Sequence, residues 1–175
     1  IKFSDLTWID GSAVIVCTAV DITQKKKNQQ KIEYQANNDF LTGLYNRMKC
    51  ELDLRNIIRD AVCSNQKGAL MFIDLDDFKH INDGLGHQYG DILLKALSNS
   101  LRRIKGIEDS CYRMGGDEFV IYMRNIESKE IASARVKKLI ENVRSLPFEE
   151  MNGNHVTISV GIAFVPEAGN CYMDL

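Results

Sequence analysis

The order of predicted strands and helices places the chain in the mixed α/β (α+β) class, as a split β-α-β-β-α-β sheet flanked by helices. Residues 69–73 form a continuous apolar run of the buried-strand type. Residues 111–123 predict a β-hairpin around two adjacent glycines, and residues 155–165 alternate apolar and polar side chains. Amphipathic helical segments separate these strands. The same order predicts that the first strand lies beside the hairpin.

Three segments carry the start signals and spacing of helices. Asn46 is a good N-cap for the first, the second begins at about Asp91, and Ser128 starts the third. The apolar positions expected along them are Met48, Leu52, Ile57, Ile58, Ala61 and Val62; then Leu93, Leu94, Leu97, Leu101 and Ile104; and finally Ile131, Val136, Leu139, Ile140 and Val143. Apolar stripes of this kind pack against a sheet.

Two smaller segments precede the main domain, which is expected to span residues 39–175. Residues 1–23 predict two short strands joined by the turn pair Asp10-Gly11. Because a segment of this length cannot bury a core, we expect it to be the end of an upstream domain or to pack against another partner. Residues 24–38 are polar and contain neither Gly nor Pro, which predicts a helical linker.

Composition narrows the class of protein without deciding it. The net charge of −2 gives no footprint of nucleic-acid or membrane binding. Five cysteines without a C-x-x-C pair favour free thiols in a reducing compartment, and the three histidines match no familiar zinc spacing. No apolar run is long enough to span a membrane. A cytoplasmic location is therefore expected, for a chain that starts without Met and is expected to be part of a longer protein.

Two glycines run directly into two acids at the predicted hairpin tip, Gly115-Gly116-Asp117-Glu118. Glycines allow a positive φ and let another molecule approach the bare backbone. Adjacent carboxylates repel each other unless a cation lies between them. The pattern therefore suggests a cation site that could hold a nucleotide triphosphate. An exposed turn with solvated acids is the alternative.

A second acidic group follows the buried strand, which stops at Asp74-Leu75-Asp76-Asp77. Acids at the carboxyl end of a buried strand are placed where a sheet binds ligands. Asp74 and Asp76 share a face if the strand continues that far, and carboxylate oxygens suit Mg²⁺. An EF-hand is excluded, because Phe78 and Lys79 would occupy the fifth and sixth loop positions.

Three motifs in order resemble the GGDEF family of diguanylate cyclases. They are Arg-x-Gly-Gly-Asp-Glu-Phe at 113–119, Asp-x-Asp-x-Phe-Lys-x-x-Asn-Asp-x-x-Gly-His-x-x-Gly-Asp at 74–91, and Asp-Phe-Leu-Thr-Gly-Leu-Tyr-Asn-Arg at 39–47. The resemblance implies a nucleotidyl-cyclase, palm-like fold in which a dimer condenses two GTP into cyclic di-GMP with Mg²⁺ or Mn²⁺. It also implies control by an upstream sensor, and residues 8–11 and 20–23 resemble the last strands of a PAS domain. A catalytically inactive GTP-binding module is the alternative.

The resemblance also implies roles for individual residues. Asp74, the carbonyl of Leu75, Asp117 and Glu118 would bind metal, and Asp117 would also accept the proton of the 3′-hydroxyl. The remaining contacts would be Gly115 and Gly116 at the nucleotide, the N–H groups around Asp77, Phe78 and Lys79 at the phosphates, Asn82 and Asp91 at guanine, and His87 beside them. Each has a structural alternative: Asp91 a helix cap, Asn82-Asp83 a turn, and His87 a loop residue packed on the core.

Two departures from the family pattern alter what is expected. Many members carry an Arg-x-x-Asp site for the product five residues before the glycine pair. Here Asp109 occupies the Asp position, but Gly106 stands where the arginine would be. We therefore expect weak or no feedback inhibition through this site. Family domains also usually continue with a further helix and strand, so basic contacts from that region are expected to be missing here.

Overall fold

The computed structural model describes residues 2–7, 11–103, 110–126, 128–146, 156–169 and 171–174. The chain divides into two compact units, residues 1–36 and residues 37–175. Predictions that involve Asp10, Ile104, Gly106, Asp109 or residue 155 lie outside the described residues.

The first unit contains a β-hairpin and most of a helix. Strands β1 (Lys2–Thr7) and β2 (Ala13–Thr18) pair antiparallel, with Thr7 opposite Ala13. Helix α1 (Thr23–Asn37) follows, and none of its residues is buried. The Asp21 carboxylate accepts a hydrogen bond of 2.8 Å from the Thr23 N–H at the start of this helix. Two strands and a helix therefore form in the segments where the sequence predicts them.

The second unit is a four-stranded antiparallel sheet flanked by helices. Its elements are α2 (Arg47–Cys63), β3 (Gly68–Leu75), α3 (Phe78–Leu85), α4 (His87–Arg102), β4 (Cys111–Gly115), β5 (Glu118–Arg124), α5 (Lys129–Arg144), β6 (Ile158–Val165) and a short 3₁₀ helix (Tyr172–Asp174). The strand order is β4-β5-β3-β6. Strand β3 therefore lies beside the hairpin, as the split plan requires, and the predicted fold class is confirmed.

Alternation along β3 divides the core between the two faces of the sheet. Ala69, Met71, Ile73 and Leu75 pack with α3, α4 and α5, whereas Leu70 packs with α2 on the other face. Phe72 and Asp74 have the same parity as Leu70 and belong to the α2 face. Phe72 remains 42% exposed, so this face is left open towards the end of the strand.

Helix α2 starts where the sequence predicts, but its buried stripe is different. The Asn46 side chain accepts a hydrogen bond of 3.0 Å from the Lys49 N–H, which confirms the cap. Met48 and Leu52 are 62% and 58% exposed, and Val62 is also exposed. The buried residues follow helical spacing from another starting point: Cys50, Leu54, Ile57, Ile58 and Ala61. Inclusion of Met48, Leu52 and Val62 was therefore wrong, because the face that meets the sheet runs through Cys50 and Leu54.

The region after β3 contains a helix that the sequence patterns did not predict. Helix α3 begins after Asp77, which has a left-handed backbone, and ends at Leu85. Gly86, with φ 87°, separates it from α4, which starts at His87 and not near Asp91. A glycine in this conformation ends one helix and starts the next, so α3 and the first turn of α4 replace the predicted loop. None of the described helices has the length and apolar character needed to cross a membrane.

Candidate active site

The hairpin tip has the backbone that the glycine pair predicts. Strand β4 ends at Gly115 with φ 147°, and Gly116 follows with φ 53°. A Cβ added to either glycine would meet no atom within 4 Å. The requirement for glycine therefore comes from the backbone conformation and not from crowding by the protein. The space over both residues is open to a ligand.

Strand pairing brings the acid of β3 to the acids of the tip. Asp74 lies opposite Glu118 in the β3–β5 register and opposite Ser159 in the β3–β6 register. Partial burial raises the pKa of Asp74, and the negative charges of Asp117, Glu118 and Asp76 raise it further. The structure thus brings together the three carboxylates that the sequence selected. Among the described residues, no three Asp, Glu, His or Cys side chains are already arranged to hold a metal ion.

Asp76 extends this acidic region beyond the end of β3. Its N–H donates to the Thr157 carbonyl at 3.1 Å, so pairing with the β6 side continues for one residue. The Ser159 hydroxyl donates to the Asp76 carboxylate at 2.6 Å. This hydrogen bond fixes the Asp76 side chain. Asp76 therefore adds negative charge beside Asp74, while one of its own oxygens is already bonded within the protein.

The anchor of the hairpin tip is a feature that the sequence analysis missed. Arg113 donates from Nη1 to the Asp39 carboxylate at 2.9 Å, and from Nε and Nη2 to the Gly116 carbonyl at 3.0 and 2.7 Å. The same Asp39 oxygen accepts from the Thr42 N–H at 2.9 Å and the Thr42 hydroxyl at 2.6 Å. One guanidinium therefore joins the segment before α2 to the tip that carries Asp117.

The environment of Asp39 opposes that of Asp74. Burial alone would raise the pKa of Asp39, but the hydrogen bonds from Thr42 and Arg113, together with the Arg113 charge, hold this pKa below its ordinary value. The signals in the sequence were the Asp39-x-x-Thr42 pattern and an arginine within an apolar strand. They did not show that the two residues, 74 positions apart, are partners.

Helices α3 and α4 meet at the pair selected for guanine. A Cβ added to Gly90 would overlap the Asn82 side-chain oxygen and come within 3.2 Å of the Phe78 ring. The Asn82 side chain therefore lies directly over the residue that precedes Asp91. Asp91 is exposed in the second turn of α4. The structure therefore places Asn82 of α3 against Gly90 of α4, the residue before Asp91.

The three structural alternatives for this region are all contradicted. Asp91 is inside α4 and does not cap it, because the helix starts four residues earlier. Asn82 and Asp83 are inside α3 and do not form a turn. His87 is the exposed first residue of α4 and is not packed on the core. These side chains are presented by helices at one corner of the domain.

The start of α3 is the segment whose N–H groups the resemblance assigns to the phosphates. Asp77 has φ 56° and ψ 21°, and its side chain makes no capping hydrogen bond to the helix. Phe78 is partly buried against the core, so its side chain faces inwards. Lys79 is exposed. A left-handed residue before a helix turns the first N–H groups outwards, an arrangement suited to anions.

A groove of 480 Å³ opens on the α2 face beside the acids. Its lining residues are Arg47, Phe72, Ile73, Asp74, Met114, Glu118, Ser159, Val160 and Gly161. It lies at the open end of the sheet, where Phe72 is exposed. Two of the three clustered carboxylates therefore face a space large enough for part of a nucleotide.

Comparison with known proteins agrees with this geometry. The chain is 33% identical over 169 residues to the probable diguanylate cyclase DgcE of Escherichia coli, covering 95% of this chain and 15% of that protein. It is also 33% identical over 157 residues to the cyclic di-GMP phosphodiesterase PdeR of the same organism, covering 89% of this chain and 23% of that protein. The chain thus spans less than a quarter of the length of either relative.

A solved structure shares the fold. The coiled coil and GGDEF domain of DgcB from Caulobacter crescentus, in complex with c-di-GMP, superimposes with a TM-score of 0.75 at 23% identity, covering 85% of this chain and 80% of that one. The family model for the diguanylate cyclase GGDEF domain matches residues 36–175. The chain therefore belongs to the GGDEF domain family of diguanylate cyclases.

Proposed function

We propose that this domain condenses two molecules of GTP into cyclic di-GMP. The observation that carries the proposal is the convergence of Asp74, Asp117 and Glu118 beside an open glycine tip. In each half-reaction a ribose 3′-oxygen forms a bond to the α-phosphorus of the other GTP, and the bond to pyrophosphate breaks. Two such steps close the ring, release two pyrophosphates and remove one proton from each attacking hydroxyl.

The acid cluster suits a divalent cation, Mg²⁺ or Mn²⁺, because its donors are carboxylates and a backbone carbonyl. Asp74, Asp117, Glu118 and the carbonyl of Leu75 would hold it. A bound cation would neutralise phosphate charge and make the 3′-hydroxyl more acidic. The repulsion that raises the Asp74 pKa supports this assignment, since a cation between the acids would relieve it. Asp117, at the tip, would accept the hydroxyl proton.

The corner between α3 and α4 provides substrate recognition in this proposal. The Asp91 carboxylate would accept from N1–H and N2–H₂ of guanine, while the Asn82 amide would donate to its acceptor edge. The N–H groups of Phe78 and Lys79, next to Asp77, would bind phosphate oxygens. His87 would lie beside the nucleotide, and the bare backbone of Gly115 and Gly116 would admit it. Catalysis would then depend on positioning and charge neutralisation.

Two features concern the larger assembly. Each domain offers one GTP site and the product contains two guanylates, so a homodimer is the proposed catalytic form, without nucleic acid or membrane as a partner. Residues 1–23 are proposed to end a PAS-like sensor domain, with α1 carrying its signal, in a protein located in the cytoplasm, where GTP is available. Gly106 stands in place of the arginine of the product site, which supports weak product inhibition. A micromolar inhibition constant for cyclic di-GMP would contradict that part of the proposal.

A nucleotide sensor without catalysis is the second candidate. It is favoured by the absence, within the described residues, of three side chains already arranged around a metal position. The match to a protein named as a phosphodiesterase is compatible with it as well. In such a sensor Asn82 and Asp91 would still bind guanine, but Asp117 would have no chemical role.

Product analysis separates the two candidates. The chain is incubated with GTP and Mg²⁺ at micromolar concentration, and the nucleotides are resolved by chromatography. We expect cyclic di-GMP and pyrophosphate from the wild type, and a loss of about 100-fold or more in rate for Asp117→Asn. Asp60→Asn is the matched control, because Asp60 is a surface acid on α2 whose ion-pair partner, at 3.4 Å, is the exposed Arg59. GTP binding without product would favour the sensor.

A further inference from the structure

We propose that Arg47 binds the β- and γ-phosphates of GTP from the α2 side of the sheet. The inference rests on the proposed function and adds a residue to it. Arg47 is the first residue of α2 and lines the same groove as Asp74 and Glu118. It is the only cationic side chain among the described residues that line this groove.

The pleat of β3 places this groove on the phosphate side of the site. Asp74 and Phe72 belong to the face that α2 covers, whereas α3 and α4, with the pair for guanine, pack on the opposite face. A nucleotide whose base lies at α3 and α4 must therefore pass the end of β3 to reach Asp74. The part that extends beyond this acid enters the groove, and in GTP that part is the triphosphate tail.

The charges around the groove require a cation of the protein's own. Asp74 and Glu118 line it, and Asp76 and Asp117 lie close enough to Asp74 to act on its charge. A triphosphate that approaches this end of the sheet meets the same sign of charge. A guanidinium presents a planar fork of N–H donors that matches two phosphate oxygens at once. Arg47 is placed to supply it.

The position of Arg47 on its helix is unfavourable for folding alone. The first turn of α2 contains no acid and carries two cations, Arg47 and Lys49, although a helix N-terminus favours negative charge. Lys49 is compensated by an ion pair of 2.7 Å with Asp53 and by the Tyr45 ring, 5.6 Å away. The local structure therefore accounts for Lys49.

Arg47 has no comparable compensation from its ion pair. Its Nε is 3.2 Å from Glu51, with side chains 70% and 38% exposed. Pairs this exposed contribute little to stability. The pair also lets Glu51 be replaced by a better acceptor when one enters the groove. A phosphate ligand gives a reason for a cation at this position that folding does not.

Nucleotide affinity tests the inference without depending on turnover. Binding of 3′-deoxy-GTP and 3′-deoxy-GMP, which lack the attacking hydroxyl, is measured by calorimetry with Mg²⁺ for the whole chain. We expect Arg47→Ala to weaken the binding of 3′-deoxy-GTP about tenfold and to change the affinity for 3′-deoxy-GMP by no more than about twofold. Arg47→Lys should recover part of the loss, because it keeps the charge without the fork.

Arg59→Ala is the matched control, since Arg59 lies on the same helix in an exposed ion pair and does not line the groove. The affinity of this control for both nucleotides should equal that of the wild type. The midpoints of urea unfolding should be nearly the same for all variants, because each substitution removes at most one exposed ion pair. An Arg47→Ala variant that binds both nucleotides as the wild type does, or loses both equally, would overturn the inference and leave the cyclase proposal standing. A wild type that binds neither nucleotide would overturn both.

Discussion

Two aspartates near the hairpin have opposite electrostatic environments. Asp39 is mostly buried, accepts hydrogen bonds from Thr42 and Arg113, and has a lowered pKa. Asp74 is exposed at the end of β3, faces Asp117, Glu118 and Asp76, and has a raised pKa. The first carboxylate is satisfied by the protein. The pKa of the second is raised by burial and by the like charges of its neighbours, which repel its ionised form.

This contrast separates an acid that the protein stabilises from an acid that its neighbours repel. Arg113 donates hydrogen bonds to the Asp39 carboxylate and to the Gly116 carbonyl, and these bonds fix the tip. The tip then holds Asp117 and Glu118 beside Asp74, so that their negative charges lie close together. The anchor opposes the repulsion among Asp74, Asp117 and Glu118, which would otherwise favour moving the hairpin tip away from β3.

Breaking the anchor should have the largest effect. Arg113→Ala leaves Asp39 partly buried without its cation, since the two side chains are only 10% and 17% exposed. We expect a loss of about 2–3 kcal/mol in the free energy of unfolding, below the value for a fully buried pair. Urea denaturation at neutral pH measures it. In a double-mutant cycle with Asp39→Asn the losses should be strongly non-additive, and additive losses would show that the pair does not act as one unit.

The pH dependence of this anchor follows from the direction of the pKa shift. Because the Asp39 pKa is lower in the folded chain than in the unfolded one, its contribution is fully present above the unfolded value of about 3.9. It is lost as pH falls through the folded pKa. The difference in stability between wild type and Asp39→Asn should therefore persist at pH 6 and shrink below about pH 4.

Crowding the helix corner should have a smaller effect, concentrated on recognition. Gly90→Ala places a methyl group where the Asn82 oxygen now lies. We expect a loss of about 1–2 kcal/mol in stability and an affinity for GTP weakened about tenfold through displacement of Asn82. Gly84→Ala in α3 is the matched control, since its new Cβ meets no atom within 4 Å. It should be neutral or stabilising by up to about 1 kcal/mol. Equal GTP affinity for both variants would contradict the role of Asn82.

Removing charge from the acid cluster should have the smallest effect on stability, with the opposite sign to that at Asp39. Folding raises the pKa of Asp74. At any pH above the pKa of this carboxyl in the unfolded chain, its ionised form therefore destabilises the folded chain. Asp74→Asn should therefore stabilise the metal-free chain at pH 7, by at most about 0.5 kcal/mol for so exposed a group. The gain should vanish below about pH 4, where the carboxyl is protonated. Destabilisation at pH 7 would show that Asp74 has a structural partner.

The sequence was informative where one local pattern determines one local structure. The glycine pair predicted the positive φ values of the tip, and the apolar run that ends at Asp74 predicted a strand. The caps at Asn46 and Ser128 also start their helices. In each case the deciding interaction is within a few residues along the chain.

The sequence was less informative where the deciding contact is distant or the signal is ambiguous. Helix α3 is short and starts at a left-handed Asp77, so its residues resembled a loop. The buried stripe of α2 depends on how the helix is rotated against the sheet, which exposed Met48 and buried Cys50. The partnership of Arg113 with Asp39 joins residues 74 positions apart, and no local pattern predicts it.

The Arg113 anchor holds the tip by the Gly116 carbonyl, and a carbonyl is the same whatever side chain follows it. The acid next to the glycine pair can therefore be lengthened or shortened while the hairpin keeps its place. Changing Asp117 to Glu should alter the reach of the carboxylate by one methylene and leave the anchor intact. The side chains of the tip can thus change while the Arg113 hydrogen bonds keep its backbone in place.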